Sequence, residues 1–152
     1  MLRVSKLTDY ATAVMTCLAS AGDGVTSAQA LSERARLELP TVSKLLKQLA
    51  QAGLVASTRG INGGYRLARP PERITIADIV TAMEGPIGMT ECSVAEGQCD
   101  RESQCGVRGS WQRINSVLEQ TLRGVSLADM LKPSPSKRKI AVSVNSGEAI
   151  TE

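Results

Sequence analysis

Apolar residues recur along the first third of the chain at helical spacing. Leu7, Ala11, Val14, Met15 and Leu18 fall at i, i+4, i+7, i+8 and i+11, which is one face of a helix from about Thr8 to Ala21. Gly22-Asp23-Gly24 ends that helix. Thr26 or Ser27 can cap a second helix through about Arg36, with Ala28, Leu31 and Ala35 inward. Pro40 suits the first turn of a third helix, which runs to Ala52 and carries the inward stripe Val42, Leu45, Leu46 and Leu49. Gly53 stops it. Leu54 to Thr58 and Gly64 to Ala68 read as two short strands around Arg59-Gly60-Ile61-Asn62-Gly63-Gly64, where Asn and Gly permit the backbone of a tight turn.

Three short helices followed by a hairpin are the outline of a winged helix-turn-helix, a mainly α fold with a small β-hairpin. Beyond it, Thr75 can cap a helix through Met83 or Glu84, and Gly85-Pro86 ends that helix. Residues 86–108 then show no periodic pattern, and unpatterned stretches of that length inside a compact domain are usually functional or disordered. Trp111, Ile114, Leu118, Leu122 and Val125 form an apolar stripe on a long helix ending near Gly124, suited either to a core or to a dimer seam. The organisation expected is therefore a winged-helix DNA-binding domain over 1–85, a loop over 86–108, a dimerisation helix with a short following helix over 109–131, and a disordered tail over 132–152. The tail includes the basic run Lys137-Arg138-Lys139.

Composition narrows the function. Aromatics make up 2% of the chain against 42% hydrophobic residues, so the core has to be aliphatic. The N-terminus lacks a signal-peptide apolar region and no stretch of ~18 apolar residues occurs, so a cytoplasmic protein away from the membrane is expected. Residues 1–75 hold ten Lys and Arg against five acids, a balance of +5, while the remainder carries −2. A basic N-terminal half is what phosphate neutralisation requires, although a mixed soluble surface looks similar. On the third helix Thr41, Ser43, Lys44, Lys47 and Gln48 lie away from the leucine stripe, placed to enter a major groove. Arg59, Gly60, Asn62 and Gly63 at the hairpin tip suit a phosphate backbone or a minor groove of double-stranded DNA. An enzyme is disfavoured: the chain has no histidine, no phosphate-binding glycine loop and no nucleophile beside a recognisable base.

The chemistry lies in three cysteines. Cys92, Cys99 and Cys105 share a 14-residue stretch at C-x6-C-x5-C, too wide for a C-x-x-C redox turn. Soft thiolates on one loop suit an iron-sulfur cluster or zinc better than hard cations. Structural zinc wants four Cys or His ligands, and a disulfide sensor would leave one thiol over. Cys17, among Val14, Met15 and Leu18, reads as a small core side chain.

Several segments together resemble the Rrf-type winged-helix transcription regulators. They are Lys6-Leu-Thr-Asp-Tyr-Ala11, Gly53-Leu-Val55, Arg59-Gly-Ile-Asn-Gly-Gly-Tyr-Arg-Leu67, Ile76-Ala-Asp-Ile-Val80 and the three cysteines, spanning about Arg3 to Leu131. Within the group the chain is most similar to regulators of the SUF iron-sulfur cluster assembly operon. The resemblance implies a homodimer that binds an operator, with Pro40 to Ala52 as the reading helix and Arg59 as the wing arginine. It implies a repressor of cluster assembly genes whose DNA binding follows an iron-sulfur cluster, [4Fe-4S] favoured over [2Fe-2S]. Siblings that sense nitric oxide or redox state, or a zinc or thiol regulator, are the alternatives. Some relatives carry an acid in the reading helix where this chain has Ser43, so operator preference should differ. The histidine that several relatives use after the third cysteine is missing, because Cys105-Gly-Val-Arg108 follows. Asp9 matches the position from which some relatives supply a carboxylate across the dimer, which implies Cys92, Cys99, Cys105 and the partner's Asp9 as ligands. Asp9 also reads as an ordinary acid at a helix start, and Glu91, Glu96, Glu102, water or an exogenous thiol are other candidates.

Overall fold

The computed structural model describes residues 3–95 and 97–133, so Glu96 and, from residue 134 on, the expected tail with Lys137-Arg138-Lys139 lie outside the described residues. The first three helices sit within two residues of their expected bounds. Helix α1 (Lys6–Ser20) starts at Ser5, whose hydroxyl accepts the Thr8 amide at 3.2 Å. Helix α2 (Ala28–Ala35) starts at Ser27, which accepts the Ala30 amide at 3.1 Å. Helix α3 (Leu39–Gln51) carries Pro40 in its first turn, where a missing amide hydrogen costs nothing.

Strands β1 (Val55–Thr58) and β2 (Gly64–Leu67) pair antiparallel, with Val55 opposite Leu67 and Thr58 opposite Gly64. Thr26 and Tyr65 exchange backbone hydrogen bonds of 2.9 and 2.8 Å, which fastens the hairpin to the chain entering α2. A 3-10 turn at Pro71–Arg73 leads into helix α4 (Ile76–Glu84), whose Thr75 and Asp78 form a complete capping box. The cysteine stretch, expected without regular structure, contains a one-turn helix α5 (Glu91–Val94) and a 3-10 turn at Glu102–Gln104. Elements of three or four residues are too short to create a periodicity, so the pattern could not show them. Helix α6 (Arg108–Arg123) and the short helix α7 (Leu127–Leu131) follow.

Val42, Leu45, Leu46 and Leu49 of α3 are fully buried against Ala11, Val14, Met15 and Leu18 of α1 and Leu31 of α2. Each large aliphatic side chain so buried contributes on the order of 2 kcal/mol. The chain then returns to this core. The Ile76 amide donates to the Val125 carbonyl at 2.9 Å and the Leu127 amide to the Ile74 carbonyl at 2.7 Å, which seats Leu127 of α7 in the same cluster. The result is a mainly helical winged helix-turn-helix with one two-stranded wing.

Leu7 departs from the expected inward stripe and is 37% exposed. Thr8 is buried in its place, and its hydroxyl donates to Glu84 Oε1 at 2.6 Å, while the Ser5 amide donates to the same oxygen at 2.9 Å. The first turn of α1 is thus tied to the end of α4 by polar contacts rather than by a leucine. The Thr8 hydroxyl, and after it the Ser5 amide, hold the Glu84 carboxyl below its usual range. A depressed folded value stabilises the fold above the unfolded value and ceases to do so as pH falls. Glu84→Ala is therefore expected to melt below the wild type at neutral pH, with the gap in Tm closing as pH drops below the ordinary value of 4.5. A gap independent of pH contradicts this tie.

Candidate nucleic-acid interface and cysteine loop

Two polar surfaces emerge from this packing. Because the leucine row of α3 faces α1 and α2, Ser43, Lys44 and Lys47 stand exposed on its far side and Thr41 is half-buried. Gln48 departs from that outward set. It is half-buried, and its amide oxygen is enclosed with no hydrogen-bond partner among the described residues. The turn that presents α3 is fixed locally: Arg36 adopts the left-handed conformation (φ 53°), the Leu37 amide donates to the Ser32 carbonyl at 3.0 Å, and the Ser32 hydroxyl donates to the Leu37 carbonyl at 2.6 Å.

The wing carries the second part of this surface. Arg59, Gly60 and Asn62 are exposed, and the Gly63 amide closes the tip on the Gly60 carbonyl at 2.9 Å. Gly60 has φ 114°, a region that L side chains rarely adopt, and a Cβ on Gly63 would lie 2.8 Å from the Gly60 carbonyl oxygen and against the Thr58 carbonyl. Both glycines are therefore required by the turn itself. Ile61, which the sequence did not single out, projects fully into solvent between them.

The cysteine loop packs through α5 against α6, which in turn packs on α4. Cys92, in α5, is 9% exposed, and its sulfur lies 3.2 Å from the Thr90 hydroxyl, which also bonds Ser93 at 2.7 Å. Cys99 and Cys105 are half-buried, and all three thiols are free. Among the described residues no three Cys, Asp, Glu or His side chains stand together as a ready metal site. Glu102, between the last two cysteines, is occupied on both oxygens: Oε1 pairs with the Arg108 guanidinium at 2.5 Å and Oε2 accepts the Gly97 amide at 2.6 Å. Glu91 is exposed. Asp9 is exposed on the first turn of α1, lining a depression of about 380 Å³ with Arg3, Val4, Ser5, Lys6 and Glu84. Cys17 packs against the core, and burial pushes its thiol up despite the opposing charge of Arg34.

Helix α6 is covered along a narrow strip where it meets the loop and α4, with Asn115 buried and Leu118 and Leu122 half-buried. Trp111, on the same side one turn before Asn115, is already 37% exposed, and farther round the helix Ile114 is 46% exposed, with Val107 and Val117 exposed beside it. A row of large apolar residues in water is the mark of an interaction surface. Sequence reasoning did not find Asn115, Glu102 with Arg108, or Glu84 with Thr8 as organising contacts. The one available signal was an amide at residue 115 on an otherwise apolar stripe.

A family model described as Rrf2, iron-dependent transcriptional regulator, matches residues 4–133. The HTH-type transcriptional regulator IscR of Aliivibrio salmonicida is 32% identical over 120 residues, covering 79% of this chain and 71% of that protein. Among solved structures, CymR, the global cysteine regulator of B. subtilis, superposes with a TM-score of 0.68 at 32% identity, covering 86% of this chain and 97% of that one. IscR of T. potens superposes at 0.66 with 33% identity and 86% of each chain covered.

The wing gives a direct test. In Gly63→Ala the added methyl group meets only backbone, so the tip must open at a cost of about 1–3 kcal/mol. Duplex DNA binding, followed by fluorescence anisotropy, should weaken on the order of tenfold or more while helical circular dichroism is retained. Unchanged affinity would remove the wing from the interface.

Proposed function

The chain belongs to the Rrf2 family of iron-dependent transcriptional regulators, and on that premise we propose that it is a cytoplasmic, homodimeric repressor of iron-sulfur cluster assembly genes whose DNA binding follows the state of Cys92, Cys99 and Cys105. No helix among the described residues is long and apolar enough to cross a membrane, which fits that setting. Three free thiols on one loop that packs on α6, the helix with an exposed apolar row, are the observation that carries the reading.

The donor set suits an iron-sulfur cluster in its three soft thiolates, and with no histidine in the chain and no fourth cysteine on the loop a fourth ligand has to come from elsewhere. Cys92, Cys99 and Cys105 would hold it, and when bound it supplies an oxygen- and redox-labile cross-link among them, [4Fe-4S] being the type favoured. Glu102 is engaged by Arg108 and the Gly97 amide, which supports the partner's Asp9 as the fourth ligand. The protein's own residues do the rest. Loop residues 86–108 order against α6, the Val107, Trp111, Ile114 and Val117 row pairs with a second copy, and the distance between the two α3 helices is set by how those helices meet. Thr41, Ser43, Lys44 and Lys47 then reach base edges and phosphates in the major groove, and Arg59, Gly60, Asn62 and Gly63 engage the backbone or minor groove.

A second reading keeps the same cysteines and drops the cluster: a thiol or nitric-oxide sensor. The lack of a preassembled donor group among the described residues favours it. One experiment separates the two. Protein purified without oxygen should be brown, with about four irons and four sulfides per chain. Cys92→Ala should lose the iron and keep the helical fold. A colourless protein that takes up no iron and sulfide on reconstitution leaves the DNA-binding reading standing and makes the loop a thiol sensor.

A further inference from the structure

Asn115 is the buried residue of α6, with 6% of its surface exposed. A buried carboxamide is costly unless both of its ends are bonded. Here both are: Oδ1 accepts the Met89 amide at 3.1 Å and Nδ2 donates to the Ile87 carbonyl at 3.2 Å. The backbone dictates the orientation of the amide, since only this one gives each group a complementary partner. The two bonds grip the loop's first residues five and three positions ahead of Cys92, beside the Thr90 hydroxyl that touches its sulfur. Ile114, the next residue along α6, sits about 100° round the helix and is 46% exposed, in the apolar row.

We propose that Asn115 is a positioning residue that couples the entry of the cysteine loop to the placement of α6. The inference rests on the reading of the three cysteines as the sensor. An aliphatic residue would fill the same space without desolvating an amide, but it would accept many loop positions. Asn115 is satisfied in only one, because both bonds hold only when residues 87–89 lie in this register. Any rearrangement of the cysteines that displaces residues 87–89 must break two bonds to α6 or carry α6 with it. A packed helix moves as a rigid body, so the displacement reaches the Trp111 and Ile114 face.

The test uses the metal-free full chain, so that it stands apart from whether a cluster binds. Cys92 is alkylated under native conditions in wild type and in Asn115→Leu, with half-buried Cys17 on α1 as the internal reference, and affinity for a DNA duplex selected by the wild-type protein is measured in parallel. Local release of the loop should speed Cys92 labelling by at least about tenfold and leave Cys17 within about twofold. Duplex affinity of the same variant should shift several-fold. Unchanged Cys92 labelling overturns the proposal. So does Cys17 labelling that rises together with Cys92, which would mean general destabilisation, and so does selective Cys92 release with unchanged DNA affinity, which would mean a tie without coupling. Should Asn115→Leu not fold, Asn115→Asp carries the same comparison, because it keeps the acceptor for Met89 and removes the donor to Ile87.

Discussion

Everything this molecule presents to DNA depends on the burial of one row of side chains, Val42, Leu45, Leu46 and Leu49, against α1 and α2. Those residues have no exposed surface, and rotating α3 by even a quarter turn would bring leucines into water at a cost of several kcal/mol by the usual area scale. The roll of α3 is thereby fixed, and with it the outward direction of Ser43, Lys44 and Lys47. The wing is locked to the same body through the Thr26 and Tyr65 backbone pair. Helix and wing therefore form one rigid unit, and on the proposed function regulation acts on how two such units are spaced rather than on the unit itself.

That constraint gives the second half of the chain its meaning. α6 leaves the winged helix after the cysteine loop and returns to it through the backbone pairing of Ile74 and Ile76 with Val125 and Leu127. Its return end is anchored in the core by Leu127, whereas its start is held by the Glu102 to Arg108 ion pair and its middle by Asn115. The loop that bears the thiols thus touches α6 at its start and its middle, away from its core anchor. On the proposed function, a change in thiol chemistry acts there, on the part of α6 farthest from its core anchor.

Much of this was legible in the residues. The α3 stripe, the serine cap at Ser27, the Thr75 cap and the glycine tip all arise from interactions within a few positions of one another, which leave a local signature. Leu7 shows where periodicity stops being informative: it names a face but not how far the neighbouring helix extends, and Thr8 took the inward place through a bond to Glu84, 76 positions away. Asn115 with Ile87 and Met89, 28 and 26 positions away, is of the same kind. Long-range polar contacts carry no spacing rule. The cysteines were conspicuous from composition and spacing, yet the arrangement that would bring three sulfurs together is not a property of the apolar pattern, and among the described residues they do not stand as an assembled site. The covered and exposed parts of the α6 stripe were likewise indistinguishable, because a core contact and an exposed seam select the same residue types.

On the proposed function, the thiols of the 86–108 loop govern DNA affinity through α6. The most direct measurement is the ratio of dissociation constants for one selected duplex, at matched salt, between protein carrying its iron and sulfide and the same protein after both are removed. Coupling through α6 predicts a ratio differing from one by about fivefold or more in the wild type, within the range typical of coupled sites, and a ratio near one in Cys92→Ala. Equal affinities for loaded and stripped wild-type protein would contradict it.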